Sequence, residues 1–248
     1  MNDNLELHWF QDKLKSHLEK SIKYRGIELT HSPILDRLYT ILSNNPLTIY
    51  LSSFSKENDC LSQWRAYANN GKGVSLGFDF NGFPFEQGTV WPSGEIEEST
   101  GYCDVIYDKE EQEKHIVAFE EIFFKNADVI HNELGNEPDN KLSVLAAKIF
   151  SYSGMFKNPA FREENEVRII HMPHHIKGVG WKGAFSDIQF KNSEGKLISF
   201  FEMSFRSSIV QSITLGPKCE CDEQELNLFL ISHGYDNVKI YRSAASYR

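Results

Sequence analysis

The amino-acid sequence predicts an α+β domain with a mixed or largely antiparallel sheet. Two helical patterns open the chain, short β-type runs follow throughout residues 47–241, and two longer helical patterns interrupt those runs. A strict alternation of strands and helices would instead indicate a doubly wound parallel sheet. Residues 1–248 contain no repeat, no low-complexity segment and no linker long enough to require two domains, so we expect one domain.

The N-terminal segment, residues 1–46, is predicted to form a pair of helices. The first is expected over residues 5–23, where apolar residues recur at spacings of three and four. The second is expected to begin at Ser32-Pro33, because proline is favoured in the first helical turn. It should end before Pro46, since the residue before a proline avoids the helical conformation.

The remaining chain is predicted as strands, with a helical insertion over residues 108–156 that packs on one side of the sheet. Strands are expected where β-type runs meet turn residues, namely at 47–54, 74–80, 102–107, 161–171, 188–190, 196–205, 209–215 and 238–241. Helices are expected where apolar residues follow helical spacing, namely at 60–67, 109–132, 142–156 and 222–233.

Composition and charge limit the classes of protein to be considered. The net charge of −9 argues against non-specific binding along a nucleic-acid backbone, which needs dense Lys and Arg. No apolar run reaches the roughly 20 residues that span a bilayer, and the first residues lack the pattern of a secretory signal, so we expect a cytoplasmic protein. Cys219-x-Cys221 lacks a second pair of zinc ligands, so the four cysteines are interpreted as reduced thiols.

The first candidate site follows the first predicted strand. Ser53 and Ser55 stand at its end, and the next helix carries Trp64, Arg65 and Tyr67. Arginine offers five fixed donors suited to phosphate or carboxylate, and residues three apart share a helical face. The alternative is a core Trp and Tyr, with Arg65 paired to an acidic neighbour.

The second candidate site lies in the predicted strand 161–171. The period of two places Glu164, Glu166 and Arg168 on one face of that strand. Two carboxylates beside a guanidinium could supply a general base or an electrostatic stabiliser. The alternative is an ion ladder with neighbouring strands.

Two further patterns are interpreted as structural. The loop Gly71-Lys72-Gly73 could hold a phosphate on its backbone amides, but it lacks the spacing of a P-loop, and a plain loop is favoured. His171, His174 and His175 are interpreted as surface loop histidines, because no carboxylate stands at a metal-binding spacing. No metal is therefore predicted.

These segments together resemble the bacterial domain-of-unknown-function family 2971. The resemblance covers the chain from about Leu47 to its end and rests on Ser53-Phe54-Ser55, Asp59, Leu61–Tyr67, Gly71-Lys72-Gly73, Gly77-Phe78-Asp79, Phe156–Phe161, Glu164-x-Glu166-x-Arg168, Gly216-Pro217-Lys218 and Ser243-x-x-x-Tyr247-Arg248. The family usually has Ile-Pro before its final Tyr-Arg, whereas this chain has Ala245-Ser246.

The order of the Ser-Phe-Ser strand, Trp-Arg helix, Gly-rich strand and late Glu strand is also similar to that of DarT-like ADP-ribosyltransferases. The resemblance implies that NAD is consumed, that Arg65 holds phosphate, that Tyr67 stacks or orients, and that Glu164 or Glu166 is catalytic. By association it implies a toxin or phage-defence system. The other ligand-binding candidates that these resemblances imply are Ser53, Ser55, Trp64, Arg168, Tyr247 and Arg248.

Two other functions remain open at the level of sequence. A non-enzymatic ligand-sensing or protein-interaction module would join Arg65, Glu166 and Arg168 in a closed structural network. A metal-dependent nuclease would use Glu164 and Glu166 as metal ligands. The expected partners are a nucleotide-type small molecule and a nucleic-acid or protein target.

Overall fold

The structure is a computed structural model, which describes residues 4–44, 49–88, 90–93, 95–132, 138–193 and 195–246. Its α-helices are α1 (Asn4–Arg25), α2 (Glu28–Asn44), α3 (Leu61–Tyr67), α4 (Ile96–Ser99), α5 (Lys109–Asn132), α6 (Pro138–Ser153) and α7 (Glu223–Ser232). Its strands are β1 (Tyr50–Ser55), β2 (Val74–Phe78), β3 (Thr100–Asp104), β4 (Glu166–His171), β5 (His174–Ile176), β6 (Gly180–Lys182), β7 (Gln189–Ser193), β8 (Lys196–Phe200), β9 (Val210–Leu215) and β10 (Lys239–Arg242).

The predicted α+β class is confirmed, and the strands of the described residues are distributed over four small sheets. Two sheets have three strands, in the orders β1-β4-β3 and β10-β9-β2. The others are the antiparallel hairpins β5-β6 and β7-β8. Strand β9 pairs antiparallel with β2 and parallel with β10, so the described part of the chain contains both kinds of pairing.

The described residues fall into two compact units. The first unit is built from residues within 1–53, 87–162 and 167–202, and the second from residues within 54–86, 163–166 and 203–248. The sequence predicted one domain, and that stays a prediction.

The first unit contains a cluster of four long helices. Helices α1 and α2 pack on α5 and α6, so the N-terminal pair and the predicted insertion share one apolar core. The ring of Phe10 stacks on that of Phe156 with a centroid distance of 4.4 Å and meets Phe119 edge-on at 5.4 Å. The insertion was expected on one side of the sheet, but α1 and α2 are major partners of its helices, because the apolar faces of all four cover one another.

Helix α2 begins four residues earlier than predicted. It starts at Glu28, so Pro33 lies inside it instead of at its first turn. A proline inside a helix removes the hydrogen bond to the carbonyl four residues earlier, here that of Leu29. Leu29 is 95% exposed, so this carbonyl lies at the surface, where water can satisfy it.

The second unit is organised around the sheet β10-β9-β2. Helix α7 packs on it through Leu230, which contacts Ile213 and Leu215 of β9. A group of phenylalanines forms a second apolar region of this unit through edge-on and stacked ring contacts, namely Phe54, Phe78, Phe80, Phe83, Phe85 and Phe205.

The loop after α3 is fixed to the end of β9 by backbone hydrogen bonds. The amides of Gly216 and Lys218 donate to the carbonyls of Gly73 and Gly71, at 3.0 and 2.9 Å. A Cβ on Gly216 would lie 2.4 Å from the Gly71 carbonyl oxygen, so this close approach requires glycine. No helix in the described part of the chain is long and apolar enough to cross a membrane.

Candidate functional site

Glu164 ends a 3-10 helix and does not belong to a strand. The helix spans Pro159–Glu164, and Asn165 then adopts a φ of 43°, in the left-handed region that Asn tolerates better than most residues. The regular strand begins only at Glu166. The prediction of a strand from 161, with Glu164 on the same face as Glu166 and Arg168, is therefore wrong, because the left-handed residue breaks the period of two.

The turn at Glu164 and Asn165 is held by the end of β1, by the residue after it and by α3. The Glu164 carbonyl accepts hydrogen bonds from Ser55 Oγ and Gln63 Nε2, both at 2.9 Å. The Asn165 carbonyl accepts from the Lys56 amide at 2.9 Å. Since the backbone of the turn is fixed at several points, the direction of the Glu164 side chain is fixed with it.

The carboxylate of Glu164 contacts α3. Tyr67 donates its hydroxyl to Glu164 Oε1 at 3.1 Å. Gln63 and Tyr67 stand four positions apart and share one side of the helix, so these two of the groups that bind Glu164 come from the same helical face. Glu164 is half-buried and Tyr67 is 58% exposed, which leaves the pair accessible to solvent.

An open cavity of about 140 Å³ lies along the same helix. Trp64, Tyr67, Gln63 and Cys60 line it from α3 and the residue before it, with Val74 on β2. Its wall is therefore partly aromatic and partly polar. Gln63 was not among the residues predicted from the sequence, although its spacing of four from Tyr67 is typical of a shared helical face.

Arg65 is exposed and lies on another side of α3. It stands two positions from both Gln63 and Tyr67, and residues two apart on a helix do not face each other. The geometry therefore brings Tyr67 to Glu164 without placing Arg65 on the same side. A role for Arg65 in holding phosphate stays a prediction.

Glu166 and Arg168 are buried in β4, with exposed fractions of 7% and 1%. Arg168 donates from Nη1 to the Gly154 carbonyl at 3.1 Å. Burial raises the pKa of the neighbouring Cys103 thiol to about 12, although the positive charge of Arg168 acts in the opposite direction. The enclosed guanidinium therefore holds the backbone at Gly154 in place, and a role for Arg168 in binding a ligand stays a prediction.

The other predicted ligand-binding residues have separate positions. Ser53 is exposed in the part of β1 that belongs to the first unit. Ser55 holds the Glu164 carbonyl and accepts from the Glu57 amide at 3.0 Å. Tyr247 and Arg248 lie outside the described residues.

Asp59 joins the loop in which it lies to α3 and to the C-terminal tail, all within the second unit. Its Oδ1 accepts from Trp64 Nε1 at 2.6 Å and from the Ser243 hydroxyl, and its Oδ2 accepts from the Ala244 amide at 2.7 Å. Burial acts to raise the pKa of Asp59, but hydrogen bonds from Ser243, Trp64 and the tail amides outweigh it and hold the pKa below its usual range. Asp59 does not cap α3, since the residue directly before that helix is Cys60.

The remaining sequence patterns are structural. The amides of Gly71 and Gly73 donate to carbonyls of the preceding helix and loop, so this loop uses them internally. His174 and His175 are exposed but lie in β5, not in a loop, and His171 is buried in β4, which corrects the prediction of three surface loop histidines. Within the described residues, no group of three or more His, Cys, Asp or Glu side chains could hold a metal ion.

Comparison with known proteins supports one family resemblance. Residues 63–169 match the model of a family described as "Protein of unknown function (DUF2971)". The predicted resemblance to this family is therefore confirmed over α3, the helical insertion and the turn at Glu164. No curated protein and no solved structure matches the chain.

Proposed function

We propose that the chain is an NAD-consuming transferase of the ADP-ribosyltransferase type, with Glu164 as its catalytic carboxylate. The observation that carries the proposal is the hydrogen bond of 3.1 Å between Tyr67 and Glu164, on the helix that also lines an open cavity. A carboxylate that is oriented by a neighbouring side chain, yet open to solvent, is suited to act on a bound substrate.

Between the two glutamates, Glu164 is the better candidate. Glu166 is only 7% exposed, so a substrate could reach its carboxylate only after the strand moved. Glu164 is half-buried, and its backbone is fixed by Ser55 and Gln63. This combination keeps the carboxylate in a defined direction without enclosing it.

The size of the cavity limits which part of NAD it would hold. Pockets for whole drug-sized ligands span roughly 300–1,000 Å³, whereas this cavity is about 140 Å³. It would therefore take a single ring, with Tyr67 and Trp64 as aromatic wall and the amide of Gln63 beside them. The rest of the molecule would extend over the surface.

The reaction exchanges one bond at the ribose for another. The bond between the ribose carbon and the nicotinamide nitrogen breaks, and nicotinamide leaves with the bonding electron pair. A nucleophilic atom of the target forms the new bond to that carbon and releases a proton. The negative charge of Glu164 would stabilise the positive charge that develops on the ribose, and Tyr67 would keep the carboxylate in place.

The proposal is tested by nicotinamide release from NAD and by thermal stabilisation with NAD. Glu164→Gln is expected to reduce release by about 10²–10⁴-fold while NAD still stabilises the protein. Glu163→Gln is the matched control, because Glu163 is an exposed glutamate in the same 3-10 helix. Full activity in Glu164→Gln, or no stabilisation of the unmodified chain by NAD, would overturn the proposal.

A second candidate function is a ligand-sensing module without catalysis. The burial of Arg168 against the Gly154 carbonyl favours it, because a module without catalysis is expected to hold Arg168 in a closed structural network. In that case NAD or another nucleotide would stabilise the chain, but no nicotinamide would be released. The same two measurements therefore separate the two functions.

A further inference from the structure

We infer that Asp59 is a positioning residue that couples the C-terminal tail, residues 243–246, to the indole of Trp64 in the wall of the cavity. The coupling joins the tail to the cavity that the proposed function uses. Only its predictions for a bound ligand rest on that function. The tail and α3 are far apart in sequence, and Asp59 binds both.

Each oxygen of Asp59 has a defined set of donors. Oδ1 accepts from Trp64 Nε1 at 2.6 Å and from the hydroxyl of Ser243. Oδ2 accepts from the amide of Ala244 at 2.7 Å. Hydrogen bonds to an ionised carboxylate are shorter and stronger than neutral ones, so this single side chain holds helix and tail together.

A backbone hydrogen bond to β9 fixes the start of the tail next to Asp59. The Ser243 amide donates to the Leu215 carbonyl at 2.8 Å, directly after β10. The Ser243 hydroxyl also accepts from the Ala245 amide at 3.1 Å. Ser243 therefore fixes the first turn of the tail while it donates to Asp59.

Trp64 carries the effect from Asp59 to the cavity. Its side chain is 3% exposed and has a single polar atom, the indole nitrogen that donates to Asp59. Trp64 also lines the cavity. Release of the tail would leave Asp59 with fewer donors and change how tightly it holds the indole, so the wall of the cavity would change with the state of the tail.

The coupling is reciprocal. A ligand that binds against Trp64 and prefers its present orientation stabilises the docked tail by the same free energy with which the docked tail improves ligand binding. Modification or capture of the tail would then regulate the cavity from outside it.

Fluorine NMR of the protein labelled with 5-fluorotryptophan tests the link without any ligand. The chain has four tryptophans, and Trp64→Phe identifies the resonance of Trp64. Ser243→Ala is expected to move that resonance and leave the other three in place. Ser246→Ala is the matched control, because Ser246 is an exposed serine of the same tail. An unchanged Trp64 resonance in a folded Ser243→Ala protein would overturn the inference.

Hydrogen exchange of the tail peptide gives a graded second test. Asp59→Ala should speed exchange at residues 243–246 by about tenfold or more, since hydrogen bonds to a charged group are lost. Asp59→Asn keeps one carbonyl oxygen as an acceptor, so its tail should exchange at an intermediate rate. Asp236→Ala, at an exposed aspartate of the second unit, is expected to leave the tail unchanged. Equal tail exchange in Asp59→Ala and Asp236→Ala would contradict the inference.

Measurements with NAD distinguish a failure of the coupling from a failure of the proposed function. If NAD stabilises the protein, it should also slow exchange of the tail, and NAD binding without that effect overturns the coupling to ligand. If NAD does not bind, the proposed function fails, and the fluorine spectrum alone decides whether Asp59 links the tail to Trp64.

Discussion

His171 is a buried titratable side chain of β4 that the proposed reaction does not use. Its ring stacks on Phe185 with a centroid distance of 4.2 Å, and its Nδ1 lies 2.8 Å from Thr100 Oγ1. In the part of the chain that the structure describes, its Nε2 has no hydrogen-bond partner. Burial disfavours the charged imidazolium, since such a charge here would be only partly solvated.

This burial predicts a loss of stability in mild acid. Burial lowers the pKa of His171 to about 4, below the roughly 6.5 of an unfolded chain. The unfolded state therefore binds more protons, and stability falls as the pH drops from about 6.5 to about 4, by about 3 kcal/mol in total. Urea unfolding at a series of pH values should show a shallower acid loss in His171→Phe than in the unmodified chain.

The control for His171 is His175→Phe, at an exposed imidazole of β5. It should retain the acid dependence of the unmodified chain. Identical slopes in His171→Phe and in the unmodified chain would show that groups other than His171 cause the acid loss. At pH 7 the substitution also removes the partner of Thr100, at a cost of about 1–3 kcal/mol.

At the scale of elements, the contact between the loop 68–73 and the end of β9 is sensitive to one added methyl group. A Cβ on Gly216 would lie 2.4 Å from the Gly71 carbonyl oxygen and 2.8 Å from that of Gly73. Backbone atoms cannot rotate away, so Gly216→Ala should destabilise the protein by about 1–3 kcal/mol. Hydrogen exchange at the amides of residues 216 and 218 should accelerate with it, because these amides lose their hydrogen bonds to the carbonyls of Gly73 and Gly71.

Gly234→Ala is the comparison for that prediction. Gly234 has a φ of 78° and nothing within 4 Å of an added Cβ. Gly234→Ala should lose about 1 kcal/mol of stability from the left-handed conformation, without any change of exchange at residues 216 and 218. Normal exchange at these two amides in Gly216→Ala would mean that the chain accommodates the methyl group by a shift elsewhere.

Several elements were predicted with bounds close to those of the structure. Helix α5 was predicted with the bounds 109–132 that the structure has, and α7 and β10 differ by one residue at each end. Strands β5 and β6 were missed because each has three residues, too few for a period of two to appear. The left-handed Asn165 was missed because a single backbone angle leaves no pattern in the sequence.

The sequence predicted individual residues of the candidate site, but not the contacts between them. Trp64, Tyr67 and Glu164 were all selected, but the hydrogen bond between Tyr67 and Glu164 joins positions 97 residues apart. Such a contact depends on how the turn at Asn165 is held by the segment after β1, which no local pattern encodes. The same reason explains why Asp59 was not connected to the tail, 184 residues later.

At the scale of the whole molecule, the second unit depends on the last part of the chain. Its sheet needs β9 and β10, and its helix α7 covers β9, all of which follow residue 202. The apolar clusters that the described residues form in the first unit lie between residues 7 and 172. Each of these clusters therefore lies within one unit.

In a chain that ends at residue 202, the first unit should still fold and the second should not. The four long helices keep their apolar core, so their helical circular dichroism and a cooperative thermal transition should persist. Residues 54–86 lose the strand β9 that pairs with β2, and they should become sensitive to protease and exchange rapidly. A chain that ends at residue 246 is the control and should keep both units. Loss of the helical transition in the shorter chain would instead support the single domain that the sequence predicts, since the first unit would then need the second in order to fold.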